Sequence, residues 1–282
     1  MMRITIIGGD MRQVYAADFL CERGHEVSFY SPFSRPQRAR ILTDPVAELE
    51  RADAVLLPIP ATGSGGVIRG LTSLLPSEVL TRLRTGSLLF GGNLSASLVA
   101  SARERGIRTV DYLNLESFVL QNAYLTAQAA LGILLSELPI CLYRTKIAIL
   151  GFGRIGKFLS RMLHALGAQV TVLARKSSDL AMASLIGVST LPLSRLQESD
   201  ALAFADAVVN TAPARILCSA HLEHLKNDTL LLELASGSDN LPKPAPEKPI
   251  RILCAQGLPG KCFPKSAAEI VTNATEEALL AL

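Results

Sequence analysis

The chain has 282 residues, of which 49% are hydrophobic, and its 28 basic and 25 acidic side chains give a formal net charge of +3. This length and apolar content suffice for two domains with cores of their own, and the dispersed basic residues argue against nucleic acid as a partner. No apolar run approaches the roughly 18 to 20 residues of a membrane span, and the N-terminus leads at once into a strand pattern, so we expect a cytoplasmic protein without a membrane helix.

The first part of the chain alternates strand-like and helix-like segments. Short apolar strands are predicted at 3–8, 26–30, 54–58, 87–90 and 109–112, with helices at 12–23 and 95–105. This alternation is typical of a parallel α/β domain, which we assign to residues 1–118. An alanine- and leucine-rich segment ends before Pro139 and predicts a connecting helix, assigned to residues 119–139.

The loop after the first predicted strand reads Gly8-Gly9-Asp10-Met11-Arg12-Gln13. It lacks the third glycine of a nucleotide loop, and Asp10 would repel a phosphate. We therefore expect a substrate-facing loop in which Arg12, at the opening of a helix, clamps a carboxylate. The alternative is that Asp10 is only a helix N-cap and that Arg12 lies in solvent.

A second α/β domain, residues 140–260, begins with an apolar strand at 146–150 that runs directly into Gly151-Phe152-Gly153-Arg154-Ile155-Gly156. A helix pattern and another strand, 169–174, follow. In the G-x-G-x-x-G motif the glycines allow a tight turn, a close approach to a pyrophosphate and close helix packing, while the helix N-terminus attracts phosphate. The context therefore predicts dinucleotide binding by Gly151, Gly153, Arg154, Ile155 and Gly156.

Basic residues replace the usual acid after the second strand of this domain. An NAD site normally has a carboxylate there, on the ribose hydroxyls, whereas this chain has Arg175-Lys176-Ser177. Arg175 and Lys176 can pair with a 2′-phosphate and Ser177 can donate a hydrogen bond, so NADP is favoured over NAD. The alternative is that the two cations are ordinary solvated loop charges.

Further strands are predicted at 207–210, 230–234 and 251–253, and a surface loop at 241–249. The turn Thr211-Ala212-Pro213 ends a strand at the cofactor edge and is expected to line the nicotinamide ribose, unless it is a plain strand-ending turn. A last helix, about 266–282 within a segment assigned to 261–282, can return toward the first domain. The fold class predicted is α/β, with two Rossmann-like domains, parallel sheets and a long joining helix.

Three stretches together resemble one family, that of the A subunit of dipicolinate synthase. They are the N-terminal loop 8–13, the segment 149–156, and the closing Leu258-Pro259-Gly260-Lys261-Cys262-Phe263-Pro264-Lys265-Ser266-Ala267, which is similar to a P-G-x-x-x-P-K-[ST]-A signature. Segments 210–214 and 233–236 fall in register between them. Departures are Leu125 and Gln128, where the family pattern N-x-x-P-T-A-E-G-A has Pro and Glu, and the loop after Ser236, which lacks a Pro-Gly-Gly run.

The resemblance implies an NADP-dependent oxidoreductase that works with a flavoprotein-like B subunit of dipicolinate synthase to make dipicolinate during sporulation, in the mother cell. The implied precursor is dihydrodipicolinate or its hydrated tetrahydro form. A small dicarboxylate requires cations, so Arg12 and Lys265 are the candidates for its carboxylates, with Ser266 as an added donor. Thr62 and Asn93, after first-domain strands, complete the predicted pocket, although both residue types are common in plain turns. Lys265 could equally be a solvated helix-start charge and Ser266 a simple N-cap.

Two other functions remain open. A D-2-hydroxyacid dehydrogenase shares the layout, but it needs an arginine, a carboxylate and a late histidine, and His221 and His224 fall on a predicted helix without such partners. A non-catalytic, NADP-binding regulatory subunit, which presents NADP to a catalytic partner or stabilises it, is the second alternative, since no general acid or base can be named. The scattered Cys21, Cys141, Cys218, Cys254 and Cys262 exclude a zinc site by spacing and predict reduced, mostly buried thiols. A homo-oligomer is left open.

Overall fold

The computed structural model describes residues 1–32, 35–198, 200–235, 240 and 248–280. They form two compact units, the first made of 1–122 with 259–282 and the second of 123–258. Each unit contains one six-stranded sheet in which all neighbouring strands run parallel. Both sheets carry helices, so the predicted α/β class with two Rossmann-like domains is confirmed. Most of the predicted loop at 241–249 lies outside the described residues.

The first unit has its elements in the order strand β1 (Arg3–Ile7), helix α1 (Met11–Glu22), β2 (Glu26–Tyr30), β3 (Arg40–Ile41), β4 (Ala54–Leu56), α2 (Pro76–Arg82), β5 (Leu88–Gly91), α3 (Ala96–Glu104) and β6 (Arg108–Asp111). The strand order is β3-β2-β1-β4-β5-β6. The chain leaves β1 in one direction and returns to its other side at β4. Ligands of open α/β sheets bind at such a reversal, outside the carboxyl ends of the strands.

The long helix α4 (Glu116–Glu137) crosses the division between the units. Among the described residues it is the one helix that is long and apolar enough to span a membrane, which the sequence did not lead us to expect, and 44% of its most apolar window is buried. Phe118, Ala127 and Leu134 are among its buried side chains. A helix packed in a protein core has this same composition.

The second unit continues with β7 (Lys146–Leu150), α5 (Arg154–Ala165), β8 (Gln169–Ala174), α6 (Ser177–Leu185), β9 (Ser189–Pro192), β10 (Ala207–Asn210), α7 (Ser219–His224), β11 (Leu230–Glu233) and β12 (Arg251–Cys254). Its strand order, β12-β11-β10-β7-β8-β9, repeats the arrangement of the first sheet. The reversal lies between β7 and β10. Residues 150–156 and 210–213 therefore come together at one edge.

The chain ends with the short α8 (Leu258–Cys262) and with α9 (Pro264–Leu280), which packs against α1. The buried Tyr112 hydroxyl lies 2.7 Å from the Thr275 hydroxyl of α9 and fixes the helix to the end of β6. Helix α9 begins two residues earlier than predicted, because proline suits the first helical position. Ser266 is consequently inside the first turn, and its interpretation as an N-cap was wrong.

The prediction that the cysteines are mostly buried was also wrong. Cys21 is half-buried, the other four are exposed, and all five are free thiols. Cys218, Cys254 and Cys262 stand at the ends of secondary-structure elements, and Cys141 lies in the turn before β7. The ends of helices and strands lie at the surface, which outweighs the general tendency of cysteine to be buried.

Candidate functional site

The glycine loop of the second unit is built as its sequence predicts. Gly151 has φ of +94°, a conformation that glycine adopts at no steric cost, and it starts the turn out of β7. A Cβ at Gly156 would lie 2.5 Å from the carbonyl oxygen of Gly151. The third glycine therefore lets α5 approach the loop closely.

The space beside Gly153 is open, because a Cβ built there would meet no atom within 4 Å. Gly153 precedes α5, and Arg154 and Ile155 are the first residues of that helix. The first N–H groups of a helix have no partner inside it and carry a partial positive charge. These N–H groups lie beside free space, and the first turn of α5 contains no acidic residue. Both features suit the binding of a dinucleotide pyrophosphate.

A cleft of about 190 Å³ runs along this loop. Its lining includes nine residues that stand out for position or charge: Gly151, Gly153, Ala174, Arg175, Lys176, Asp179, Thr211, Ala212 and Pro213. Arg175 and Lys176 are exposed at its margin, after β8, and Ser177 is the first residue of α6. Asp179, in the first turn of that helix, had not been identified from the sequence and places a negative charge in the same cleft.

The turn after β10 forms the opposite wall of the cleft and is tied to the glycine loop. The Thr211 hydroxyl donates to the carbonyl oxygen of Leu150 at 3.0 Å and lies 3.3 Å from that of Gly151. Ala212 and Pro213 line the cleft directly. The Thr211 side chain thus joins the two loops, and Ala212 and Pro213 form the surface of the cleft on this side.

A buried polar pair behind this turn was missed at the sequence level. Asn210 is 1% exposed and Glu233 is 2% exposed, and the Asn210 amide nitrogen donates to Glu233 Oε2 at 2.7 Å. Burial raises the pKa of Glu233 above its ordinary value, and hydrogen bonds from Asn210, the Ala235 N–H and Asn240 oppose the shift without cancelling it. The available signal was a single acid at the end of the apolar run 230–234.

In the first unit, Asp10 and Arg12 form one structure after β1. Asp10 caps α1, accepts from the Arg12 backbone N–H at 3.0 Å, and shares a capping box with Gln13. Arg12 Nε and Nη2 donate to the two Asp10 oxygens at 2.9 and 2.8 Å, and Nη2 also donates to the Ile59 carbonyl at 2.8 Å. Arg12 is 6% exposed. The N-cap alternative was right about Asp10 and wrong about Arg12, because the carboxylate and the carbonyl hold the guanidinium inside.

The closing motif meets this pair at Gly260. A Cβ on Gly260 would lie 2.6 Å from Arg12 Nε and 3.0 Å from Asp10 Oδ2. Two stretches at opposite ends of the sequence are thus in contact at the carboxyl edge of β1. Lys265 and Ser266 follow in the first turn of α9, and both are exposed.

The loop 68–71 covers the other side of the Asp10 turn. The Gly9 N–H donates to the Arg69 carbonyl at 2.7 Å, and a Cβ on Gly70 would lie 2.5 Å from the Gly9 carbonyl. The Arg69 side chain is exposed, and its charge acts on Asp10. Arg69 was not identified from the sequence, and it adds a cation beside Arg12.

The remaining predicted residues follow the strands beside β1. Thr62 is half-buried and bridges Ile68 through its backbone. Asn93 is exposed with φ of +57°, and its N–H donates to Asp111 at 3.1 Å. Its backbone is therefore that of a turn residue. The loops that carry Thr62 and Asn93 are joined, since the Ala61 N–H donates to the Gly92 carbonyl at 2.7 Å.

We expect Asp10→Asn to be less stable than the wild type at neutral pH, by about 1 kcal/mol given partial exposure of the carboxylate. Burial acts to raise the pKa of Asp10, but hydrogen bonds and charge from Arg12, with Arg69, outweigh it and hold the pKa below its ordinary value. The charge therefore stabilises the fold above the unfolded pKa, and this contribution disappears as pH falls through the lower, folded pKa.

Asparagine is a good N-cap, so the substitution removes mainly the charge. The measurement is urea unfolding of both proteins from about pH 7 down to pH 3. The difference between them should shrink at the acid end. A difference that stays constant over this range would show that the Asp10 charge does not stabilise the fold.

The two units and the glycine loop define a dehydrogenase-like protein whose second unit binds a nicotinamide dinucleotide. Residues 135–239 match the model of the NAD binding domain of D-isomer specific 2-hydroxyacid dehydrogenases, and residues 3–113 match that of the N-terminal domain of the dipicolinate synthase A subunit. The chain is 28% identical to the A subunit of dipicolinate synthase from Bacillus subtilis (strain 168), over 99% of its own length and 96% of that protein.

Crystal structures of the dipicolinate synthase A subunit show the same fold. The protein from Bacillus halodurans superposes with a TM-score of 0.84 at 24% identity, covering 99% of this chain and 97% of the other. The corresponding protein from Bacillus subtilis gives 0.81 at 26% identity, with coverage of 99% and 96%. The chain thus resembles dipicolinate synthase A subunits over nearly its whole length, and the resemblance seen in its motifs is confirmed.

Proposed function

We propose that this chain is the NADP-dependent oxidoreductase subunit of a dipicolinate synthase. The observation that carries the proposal is the contact of Gly260 with Asp10 and Arg12, which joins the two motifs most specific to the family at one carboxyl edge. Dihydrodipicolinate would give up a hydride and a proton to become aromatic, and the hydrated tetrahydro form would also lose water. NADP, when bound, supplies the hydride acceptor.

The residues we propose to form the substrate site are Asp10, which acts through Arg12, together with Arg12, Thr62, Asn93, Lys265 and Ser266. Arg12 already uses Nε and Nη2 on protein oxygens, so Nη1 is the part of its guanidinium left for a substrate carboxylate. Asp10 then orients that group and does not contact the substrate anion. Arg69 is a better candidate than Arg12 for a first electrostatic contact, because it is exposed.

NADP specificity is proposed to rest on Arg175, Lys176 and Ser177. We expect Arg175→Ala to weaken NADP binding roughly 10- to 100-fold, the effect of losing a charge-assisted hydrogen bond to the 2′-phosphate. NAD has a hydroxyl there, so its affinity should be nearly unchanged. Dissociation constants for both nucleotides, measured by titration calorimetry, test this.

Arg161→Ala is a matched control, since Arg161 is an exposed arginine on α5 that does not line the cleft. Asp179→Asn should act in the opposite sense to Arg175→Ala and tighten NADP binding, by removing a charge that repels the 2′-phosphate. Tighter binding of NAD than NADP by the wild type would contradict the assignment and would point to Asp179 as a ligand of the ribose.

A protein that binds NADP without catalysing the reaction is the second candidate. This candidate is favoured by the hydrogen bonds of Arg12 to Asp10 and to the Ile59 carbonyl, because they give Arg12 a structural role. A D-2-hydroxyacid dehydrogenase is less well supported. His221 lies on the short helix α7, where its Nδ1 accepts the Cys218 N–H at 3.1 Å, and burial lowers its pKa.

The proposed partner is the flavoprotein-like B subunit of dipicolinate synthase, and the proposed location is the cytoplasm of the mother cell of a sporulating bacterium. The test supplies purified chain, with and without this partner, with fresh product of dihydrodipicolinate synthase and NADP. Formation of NADPH together with aromatic product absorbance supports the synthase. NADP binding without turnover in either mixture would favour the non-catalytic role.

A further inference from the structure

The buried pair of Asn210 and Glu233 lies directly behind the turn that forms one wall of the cofactor cleft. The two residues are register partners on the parallel strands β10 and β11, and both side chains are inside. Neither lines the cleft, whereas the next three residues after Asn210 do. Burying a carboxylate costs free energy unless hydrogen bonds compensate for the lost hydration. The hydrogen-bond partners of Glu233 therefore indicate its role.

The contacts form a chain that runs from β11 to the cleft. The Ala235 N–H donates to Glu233 Oε1 at 2.8 Å, and the Asn210 amide donates to Oε2 at 2.7 Å. The Asn210 amide oxygen then accepts the Ala212 N–H at 3.2 Å. Both Glu233 oxygens accept hydrogen bonds in these contacts, so the amide nitrogen of Asn210 faces Glu233 and its amide oxygen faces Ala212.

We propose that Glu233 is a positioning residue for the dinucleotide: acting through Asn210, it fixes the turn Thr211-Ala212-Pro213 in the conformation that forms the cleft wall. The inference rests on dinucleotide binding by the second unit, which is part of the proposed function. A neutral amide in place of the Glu233 carboxylate would lack this directional effect. The nitrogen of that new amide would face either the amide nitrogen of Asn210 or the N–H of Ala235, and both of these groups are donors.

Exchanging the two groups gives a sharp test. Glu233→Gln alone turns one acceptor into a donor, and Asn210→Asp alone places two carboxylates against each other. In the double variant, the new glutamine on β11 donates to the new aspartate on β10 and still accepts the Ala235 N–H. The aspartate accepts the Ala212 N–H, and the net charge equals that of the wild type. Of the three variants, only this combination restores the contacts among positions 210, 212, 233 and 235, with the side-chain hydrogen bond reversed.

The experiment measures the dissociation constant of NADP for the four proteins by calorimetry, well below their melting temperatures, and the melting temperatures without nucleotide. We expect about 10-fold weaker binding in each single variant and a value within roughly 3-fold of wild type in the double variant. A purely structural pair would alter melting without altering the affinity of the folded protein.

Unchanged affinity in Glu233→Gln, or a double variant that binds no better than the single ones, would overturn the inference while leaving the cofactor assignment intact. If one single variant does not fold, the comparison of the other single variant with the double variant and the wild type decides the matter. A wild-type chain that binds neither NADP nor NAD would overturn the proposed function, and this inference with it.

Discussion

Gly156→Ala should both destabilise the protein and abolish dinucleotide binding, whereas Gly153→Ala should abolish most of the binding and leave the fold intact. At Gly156 the new Cβ would stand 2.5 Å from the Gly151 carbonyl oxygen, which is backbone and cannot rotate away. Helix α5 would have to move off β7. Such overpacking costs about 1–3 kcal/mol, which lowers the melting temperature by roughly 5 °C in a domain of this size.

Gly153 differs because the space around it is empty and its φ of −74° suits any residue. Alanine there should change the free energy of unfolding by only about 0.5 kcal/mol, the loss from a poorer N-cap. Its methyl group, however, would occupy the place proposed for the pyrophosphate. We expect dinucleotide affinity to fall roughly 10- to 100-fold, an effect of about 1.4–2.7 kcal/mol.

Thermal melting with and without NADP, followed by calorimetric titration, separates the two effects. Gly132→Ala is the control, because Gly132 lies within α4 with nothing near its Cβ position, and alanine there should stabilise the helix by up to about 1 kcal/mol. If Gly153→Ala bound NADP and NAD as the wild type does, the phosphates would not lie at the start of α5.

The elements that a short stretch of sequence determines were predicted well. Strands β2, β7, β8 and β10 have the predicted bounds, and the other six predicted strands differ by one or two residues, because a buried parallel strand is a compact apolar run between turns. Strands β3 and β9 were missed, since β3 has only two residues, both exposed, and the four residues of β9 are exposed at each end. Helix α2 was missed as well, because its seven residues are too few for a clear helical period.

The site was predicted less completely because its contacts join distant parts of the chain. Nothing local to Arg12 shows that the Ile59 carbonyl, 47 residues away, will accept its Nη2 donor and hold it inside. The environment of Glu233 depends likewise on Asn210 of the neighbouring strand. The glycine loop was recognised because its geometric demands lie within six consecutive residues, and the closing motif was recognised only through its resemblance to a family.

Gly260→Ala is expected to cost about 1–3 kcal/mol in the wild type and close to nothing in an Arg12→Ala background. In the wild type the new Cβ would lie 2.6 Å from Arg12 Nε and 3.0 Å from Cζ. Arg12 cannot yield without loosening its bonds to Asp10 and Ile59. Once the guanidinium is removed, Asp10 Oδ2, at 3.0 Å from the new Cβ, is released from Arg12 and can shift by the few tenths of an ångström that the methyl group needs.

Urea unfolding of the wild type, both single variants and the double variant at pH 7 gives the coupling free energy directly. Lys261→Ala, at an exposed neighbouring position, should be silent. If Gly260→Ala cost the same free energy of unfolding in both backgrounds, glycine would be required at position 260 for the backbone conformation of α8 and not to leave space for the Arg12 guanidinium. Strong coupling would instead mean that the closing segment 258–267 packs against Arg12. The binding of any ligand by Arg12 would then also depend on the position of Gly260.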